Sequence, residues 1–214
     1  MKRLSVDLGH PMAQLGLYAL VALGLVTLLH ALSADRIRAN QRANLLHTLA
    51  ELLPANSFDN ELPEDMIRLQ DDRLGRSEPL AIYRARRQGQ PVAAILTTMA
   101  PDGYSGNITL LVAIRYDAVL SGVRVLEHHE TPGLGDRLET SKSHWLLGFA
   151  GHSLDDPPEA RWEVRRDGGA FDQFTGATVT PRAVVHAVRE SLRVFRDRRE
   201  ELFAPSPPAP DQRS

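Results

Sequence analysis

Between Leu8 and Ala34 the chain carries no lysine, arginine, aspartate or glutamate. The heart of that stretch is MAQLGLYALVALGLVTLLHAL, Met12 to Leu32. As an α-helix rising ~1.5 Å per residue it is long enough to cross a hydrocarbon layer of roughly 30 Å. Gln14 and His30 stand near its ends, where polar groups reach the interface. A retained anchor is the expectation, over 11–33, after an N-terminal tail of residues 1–10. Two other readings compete. Ala31-Leu32-Ser33 has the small residues of a leader cleavage site, although the apolar run exceeds an ordinary leader core. A helix buried in a soluble core is the third. Lys2 and Arg3 precede the span and Arg36, Arg38 and Arg42 follow it, so the distribution of positive charge leaves orientation open.

The chain has 214 residues, enough for one domain with a proper core plus extensions. Its net charge of −2 argues for no polyelectrolyte partner, nucleic acid included. The absence of cysteine excludes disulfides, thiolate metal sites, iron–sulfur clusters and cysteine nucleophiles in this chain.

Residues 34–78 read as a helical connector. Ile37, Leu45, Leu46, Leu49, Leu52 and Leu53 recur at helical spacing until Pro54, and Ala55 to Arg76 is loop-rich with room for one short helix. From Pro79 the pattern changes. Leu80–Arg86, Pro91–Ala100, Asn107–Asp117 and Val119–Glu130 are apolar or alternating runs, separated by turn residues, and predict antiparallel strands. Arg87 to Gln90 and Tyr116 to Ala118 fit hairpin turns. Lys142–Ala150 predicts a short helix with Trp145, Leu146 and Phe149 inward, and Ala160–Arg166 a further strand. A last helix is expected from Pro181 to about Glu200, capped by Thr180, with Pro181 as its first residue. Its buried stripe is Val184, Val185, Val188, Leu192 and Phe195; Arg182, Arg189, Arg193 and Arg196 lie on the solvated side. Residues 204–214 are proline-rich and expected to be disordered. Strands followed by helices, without βαβ alternation, predict an α+β fold: a mainly antiparallel sheet with packed helices over 79–203.

The chemistry concentrates ahead of that last helix, in DQFTGATVTPRAVVHAV, Asp172 to Val188. A helix N-terminus presents unsatisfied N–H groups and partial positive charge, which favour phosphate. Gly176 permits unusual dihedrals and close approach, Ala177 keeps the turn clear, and Thr175 and Thr178 supply hydroxyls. A valine at Gly176 is expected to crowd the site. Plain capping is the alternative for this turn alone. A second glycine-dense loop, HETPGLGDR (His129–Arg137), and a turn, Gly103-Tyr104-Ser105-Gly106, each read alone as ordinary turns between elements.

In this order, GYSG, HETPGLG and DQFTGATVT resemble the recurrent loops of the FMN-binding domain family, the last being its flavinylation motif: an Asp ahead of a Ser/Thr-Gly-Ala-Thr core. With the apolar anchor, the likeness narrows to the branch holding the G subunit of Rnf-type ion-translocating electron transport complexes, related to the C subunit of the Na+-translocating NADH:quinone oxidoreductases. It covers nearly the whole chain except the proline-rich tail. The resemblance implies FMN joined by a phosphoester to Thr178, attached from FAD by a separate, magnesium-dependent flavin transferase. Asp172 leads the motif, and Thr175, Gly176 and Ala177 would shape the phosphate end. Glu130, Thr131, Leu134 and Gly135 would lie against the isoalloxazine or ribityl chain, with Tyr104 and Ser105 on the same wall. It further implies a redox subunit not catalytic alone, single-pass in the bacterial inner membrane and its lipid. The flavin domain would lie on the periplasmic side, with other membrane and iron–sulfur subunits as partners.

Other readings have less behind them. His128, His129 and Glu130 invite a metal, but adjacent strand residues point to opposite faces. Thr178 as a hydrolase nucleophile lacks the N-terminal amine such enzymes use. A non-catalytic assembly or regulatory module with this fold, outside any pump, stays open. The uncharged span makes a direct prediction: the intact chain remains in membranes washed with alkaline carbonate, whereas a soluble chain beginning near Asp35 would mark a cleaved leader.

Overall fold

The computed structural model describes residues 9–54 and 56–204. The tail before Gly9 and the proline-rich stretch expected to be disordered lie outside the described residues. The chain divides into two compact units, between Leu46 and His47.

The first unit is built on helix α1, Gly9–Leu52, whose last turns belong to the second unit. Leu15, Leu17, Leu20, Val21, Leu25, Val26, Leu28, Leu29 and Leu32 are all exposed, as suits a helix whose solvent is lipid. α1 is long and apolar enough to cross a membrane. The Thr27 hydroxyl donates back to the carbonyls of Leu23 (2.7 Å) and Gly24 (3.0 Å), so this polar group needs no water.

The second unit is an antiparallel sheet in simple sequential order: β1 (Met66–Asp71), β2 (Arg76–Arg87), β3 (Gln90–Ala100), β4 (Ile108–Arg115) and β5 (Leu120–Glu127). The expected β2–β3 turn falls on Gln88 and Gly89, both at positive φ (51° and 75°), the conformation a two-residue hairpin requires. The middles of β3 and β4, Val92–Leu96 and Leu110–Ile114, are continuously apolar because both faces are covered. On one face Ala94, Leu96, Leu110, Val112 and Ile114 share a core with helix α2 (Val179–Phe203), which contributes Val184, Val185, Val188, Leu192 and Phe195. The other face, with Ala93, Ile95, Leu111 and Ala113, is also fully buried. The end of α1 lies on that side. Leu52 packs over Gly122, the β5 partner of Ala113, and its carbonyl accepts the Ser121 hydroxyl at 2.8 Å.

Helix α2 is fastened at its C-terminal end by β2. Arg84 donates to the carbonyl of Ala204 (2.8 Å), Arg86 donates to that of Phe203 (3.1 Å), and both guanidiniums pair with Asp65. Cations there meet the negative end of the helix dipole and satisfy carbonyls that have no intrahelical partner.

Four local expectations are revised. The stretch Ala55–Arg76, read as connection, contains β1, because Ile67 and Leu69 alternate with Arg68 and Gln70 and find β2 beside them. Ala160–Arg166 is not a strand: it forms two 3-10 turns, Glu159–Arg161 and Arg165–Asp167, around the fully buried Trp162. The β5 edge it might have joined is already used at Leu120, which exchanges backbone bonds with Gly151 and His152. The helix at Lys142–Ala150 is a 3-10 turn over Trp145–Phe149, with Leu146 and Phe149 buried and Trp145 half-buried. Of the arginines expected on the solvated side of α2, Arg189 is instead tucked against Glu163 at 3.0 Å.

The apolar stripe of α2 interlocks with β3 and β4, so truncating it should open a cavity in the core. Leu192→Ala is expected to cost about 3 kcal/mol, read as a lowered urea midpoint.

Candidate functional site

Helix α2 starts two residues earlier than its sequence suggests. Its N-cap is Thr178, and Thr180 and Pro181 lie within the first turn. An ordinary N-cap has extended backbone and a side-chain oxygen accepting from the second or third helical N–H. Thr178 departs on both counts. Its φ and ψ are −73° and −26°, already helical, and the third helical residue is Pro181, which has no N–H to offer. Its hydroxyl makes no capping hydrogen bond, and the residue is only partly buried.

The residues before it form a tight turn. Ala177 N–H donates to the Phe174 carbonyl at 3.1 Å, and Gly176, third in the turn, has φ +83°, as a type II turn demands. A β-carbon on Gly176 would meet nothing nearer than Leu134, 4.0 Å away. Valine there would therefore crowd no protein atom with its β-carbon, and the left-handed backbone resists a side chain on its own account. Beneath the turn, Phe174 packs edge-on against Trp145 at 5.1 Å, and the Trp145 indole N–H donates to the Asp172 carbonyl at 2.8 Å. Phe149, Phe171 and Trp162 continue this aromatic column into the core.

Glu130 joins the three glycine-bearing segments. It is 5% exposed, and both carboxylate oxygens are used internally. One accepts the Thr180 hydroxyl at 2.6 Å, and the other accepts the Ser105 N–H at 3.1 Å. Gly135 lies directly on this carboxylate, where a β-carbon would collide with it. The Glu130 N–H donates to His128 Nδ1 at 3.1 Å, which leaves the ring proton on Nε2, facing Glu139 at 3.3 Å. His129 is exposed, so the two histidines do not converge, and among the described residues no group of three potential ligands is placed to hold a metal ion.

Of the residues singled out from sequence, Ser105, Glu130 and Gly135 meet directly, and Leu134 reaches over Gly176. Tyr104 is 71% exposed beside Ser105; Leu134 is 44% and Val179 42% exposed. Thr131 and Thr175 are exposed, Thr131 accepting the Leu134 N–H through its carbonyl. Asp172 turns outward and pairs with Arg165 at 3.1 Å. Sequence reading missed the roles of Thr180, Trp145 and Lys142. Pro181 was the available clue to the first of these, because a proline at the third helical position cannot receive a cap.

Lys142 secures the far end of the 129–137 loop. Its ammonium contacts Asp136 at 2.9 Å and Glu139 at 2.6 Å. The Lys142 hydrogen bond, helped by the Gly133 N–H, holds the Asp136 carboxyl below its ordinary range; Glu139 is lowered by Lys142 first and His128 after it. On the outer side, Arg182 in the first turn of α2 pairs with Asp167 at 2.7 Å.

The residues present fit a phosphate-bearing aromatic cofactor. The first turn of α2 supplies backbone N–H groups without intrahelical partners, and Thr178 an uncommitted hydroxyl. Leu134, Tyr104 and Val179 supply exposed apolar surface.

Comparison with known proteins agrees with this geometry. Residues 103–193 match the FMN-binding domain family, and residues 13–52 match the RnfG N-terminal region. The chain is 52% identical over 192 residues to the G subunit of the ion-translocating oxidoreductase complex of Pseudomonas aeruginosa, covering 89% of this chain and 90% of the relative. It is 48% identical over 190 residues to the protein of the same name from Shewanella loihica, covering 88% and 90%. It is 44% identical over 188 residues to that from Vibrio cholerae, again covering 88% and 90%.

The Lys142 clamp gives the loop an acid limit. Carboxylates held low stabilise the fold above their unfolded-state values, near 3.8 for Asp136 and 4.5 for Glu139, and that stabilisation is lost as pH falls through their lower folded values. Lys142→Met should therefore flatten the loss of stability between about pH 5 and pH 2, measured as melting temperature against pH.

Proposed function

This chain belongs to the G-subunit family of ion-translocating oxidoreductase complexes, and from that membership we propose that it is a membrane-anchored flavoprotein carrying electrons through FMN bound at the start of α2. The flavin is held covalently, by a phosphoester to Thr178. The observation that carries this reading is the Thr178 hydroxyl: it stands at a helix N-terminus, makes no capping bond, and follows a glycine turn with open space around it.

The chain's own residues divide the work. Phe174 to Ala177 set the turn, and the N–H groups of the first turn of α2 face the phosphate. Leu134, Tyr104 and Val179 offer apolar surface to the ring, and Thr131 and Thr175 are accessible at its edge. Glu130, Ser105 and Gly135 hold the walls from within. When bound, the flavin accepts and gives one or two electrons, while the protein supplies tethering and tuning. A threonine hydroxyl is a weak nucleophile until a base activates it, so attachment falls to a separate flavin transferase. The outward-facing Asp172, paired with Arg165, is placed to be met by that enzyme.

Helix α1 anchors the chain in the bacterial inner membrane as a single span, with the flavin domain, residues 79–203 together with β1, on the periplasmic side. A covalent tether suits a compartment where lost flavin is not replaced. The partners are the other membrane and iron–sulfur subunits of an Rnf-type complex, and ion movement is a property of that assembly.

Co-expressed with a flavin transferase, the denatured full-length chain should fluoresce in a gel under ultraviolet light and carry the FMN mass increment on the peptide containing Thr178. Thr178→Ala should lose both signals and remain folded; covalent flavin persisting in that variant would place the attachment elsewhere.

A further inference from the structure

A hydroxyl kept free at a helix N-cap needs the first turn to be held by something other than the cap. Thr180, just inside the helix, is wholly buried, and its hydroxyl donates to Glu130 at 2.6 Å. The second Glu130 oxygen takes the Ser105 N–H at 3.1 Å, and Gly135 closes over the same carboxylate. The donors are neutral, so the carboxylate acts through geometry, joining the 103–106 turn, the 129–137 loop and the start of α2.

We propose that Glu130 is a positioning residue for the acceptor hydroxyl of Thr178, acting through its hydrogen bond to Thr180. The proposal rests on the reading of Thr178 as the attachment site. In the transfer, Thr178 Oγ1 gives its proton to a base on the transferase and takes the FMN phosphoryl group from FAD, whose diphosphate P–O bond breaks to release AMP. Glu130 touches none of the reacting atoms. It fixes the direction from which the hydroxyl meets them, by preventing the first turn of α2 from rotating or fraying.

The test uses the full-length chain in detergent with a flavin transferase, FAD and Mg2+, comparing wild type with Thr180→Val, Thr180→Ser, Glu130→Ala and Glu130→Gln. Thr180→Val keeps the shape and deletes the hydroxyl. It should lower the transfer rate at saturating acceptor about tenfold while KM stays within about twofold, because orientation rather than encounter is lost. Glu130→Ala should do the same. Thr180→Ser and Glu130→Gln, which can still bridge the segments, should stay within about twofold of wild type. Wild-type rates in a folded Thr180→Val would overturn the proposal, and that variant decides the matter if Glu130→Ala does not fold.

Hydrogen exchange on the unmodified chain supplies an arm independent of flavin. The amides of Ser105 and Arg182, which donate to Glu130 and to the Thr178 carbonyl, should exchange about tenfold faster in Thr180→Val than in wild type; unchanged protection sinks the proposal. Were wild type to carry its flavin on another residue, the attachment reading would fall with the rate comparison, and exchange alone would decide whether Glu130 positions this turn.

Discussion

A carboxylate taken out of water must find hydrogen bonds for both oxygens or cost several kcal/mol. Glu130 meets that demand with the Thr180 hydroxyl on one oxygen and the Ser105 N–H on the other. Partners 50 residues later and 25 residues earlier in the chain are thereby brought to one point. The same contact explains why Gly135 has no side chain: nothing larger fits against the carboxylate. It also frees Thr178, since the first turn of α2 is held from inside and needs no cap on its outer rim.

The frame behind this junction is a sheet buried on both sides. Helix α2 lies on one face of β3 and β4, and the end of α1 lies toward the other. Helix α2 is fixed at both ends by groups from elsewhere in the chain. Arg84 and Arg86 take its last carbonyls, and Glu130 holds its first turn from the inside while Arg182 reaches out to Asp167. A helix restrained in this way cannot slide along its axis, so the position of Thr178 follows from the packing of the whole domain. The aromatic column from Trp162 to Trp145 does the same for the preceding turn, which rests on Phe174.

Much of the site was legible in the residues. The TGAT turn, the two glycine loops and the apolar anchor could each be found by composition and spacing, because turns and membrane spans are local features whose residue types are dictated by backbone geometry or by solvent. The hairpin at Gln88 and Gly89 and the buried stripe of α2 were readable for the same reason. Ala160–Arg166 was misread because its alternation, which looks like a strand, serves to bury Trp162 and Val164 between two 3-10 turns, while the start of the β5 edge is taken by Gly151 and His152. β1 was missed because six residues among carboxylates and turn formers carry too little periodicity to stand out.

The amino-acid order by itself determined that one helix is apolar enough to cross a bilayer, that an antiparallel sheet follows, and that a hydroxyl-bearing glycine turn precedes the last helix; these depend on side chains near one another in sequence. Only the tertiary structure decided which threonine is a strut and which is free. Thr180 looks like the cap and Thr178 does not, yet a carboxylate fifty positions earlier engages Thr180 and leaves Thr178 uncommitted. A hydrogen bond across that separation has no local signature, because either hydroxyl could have made it until the loops closed around Glu130.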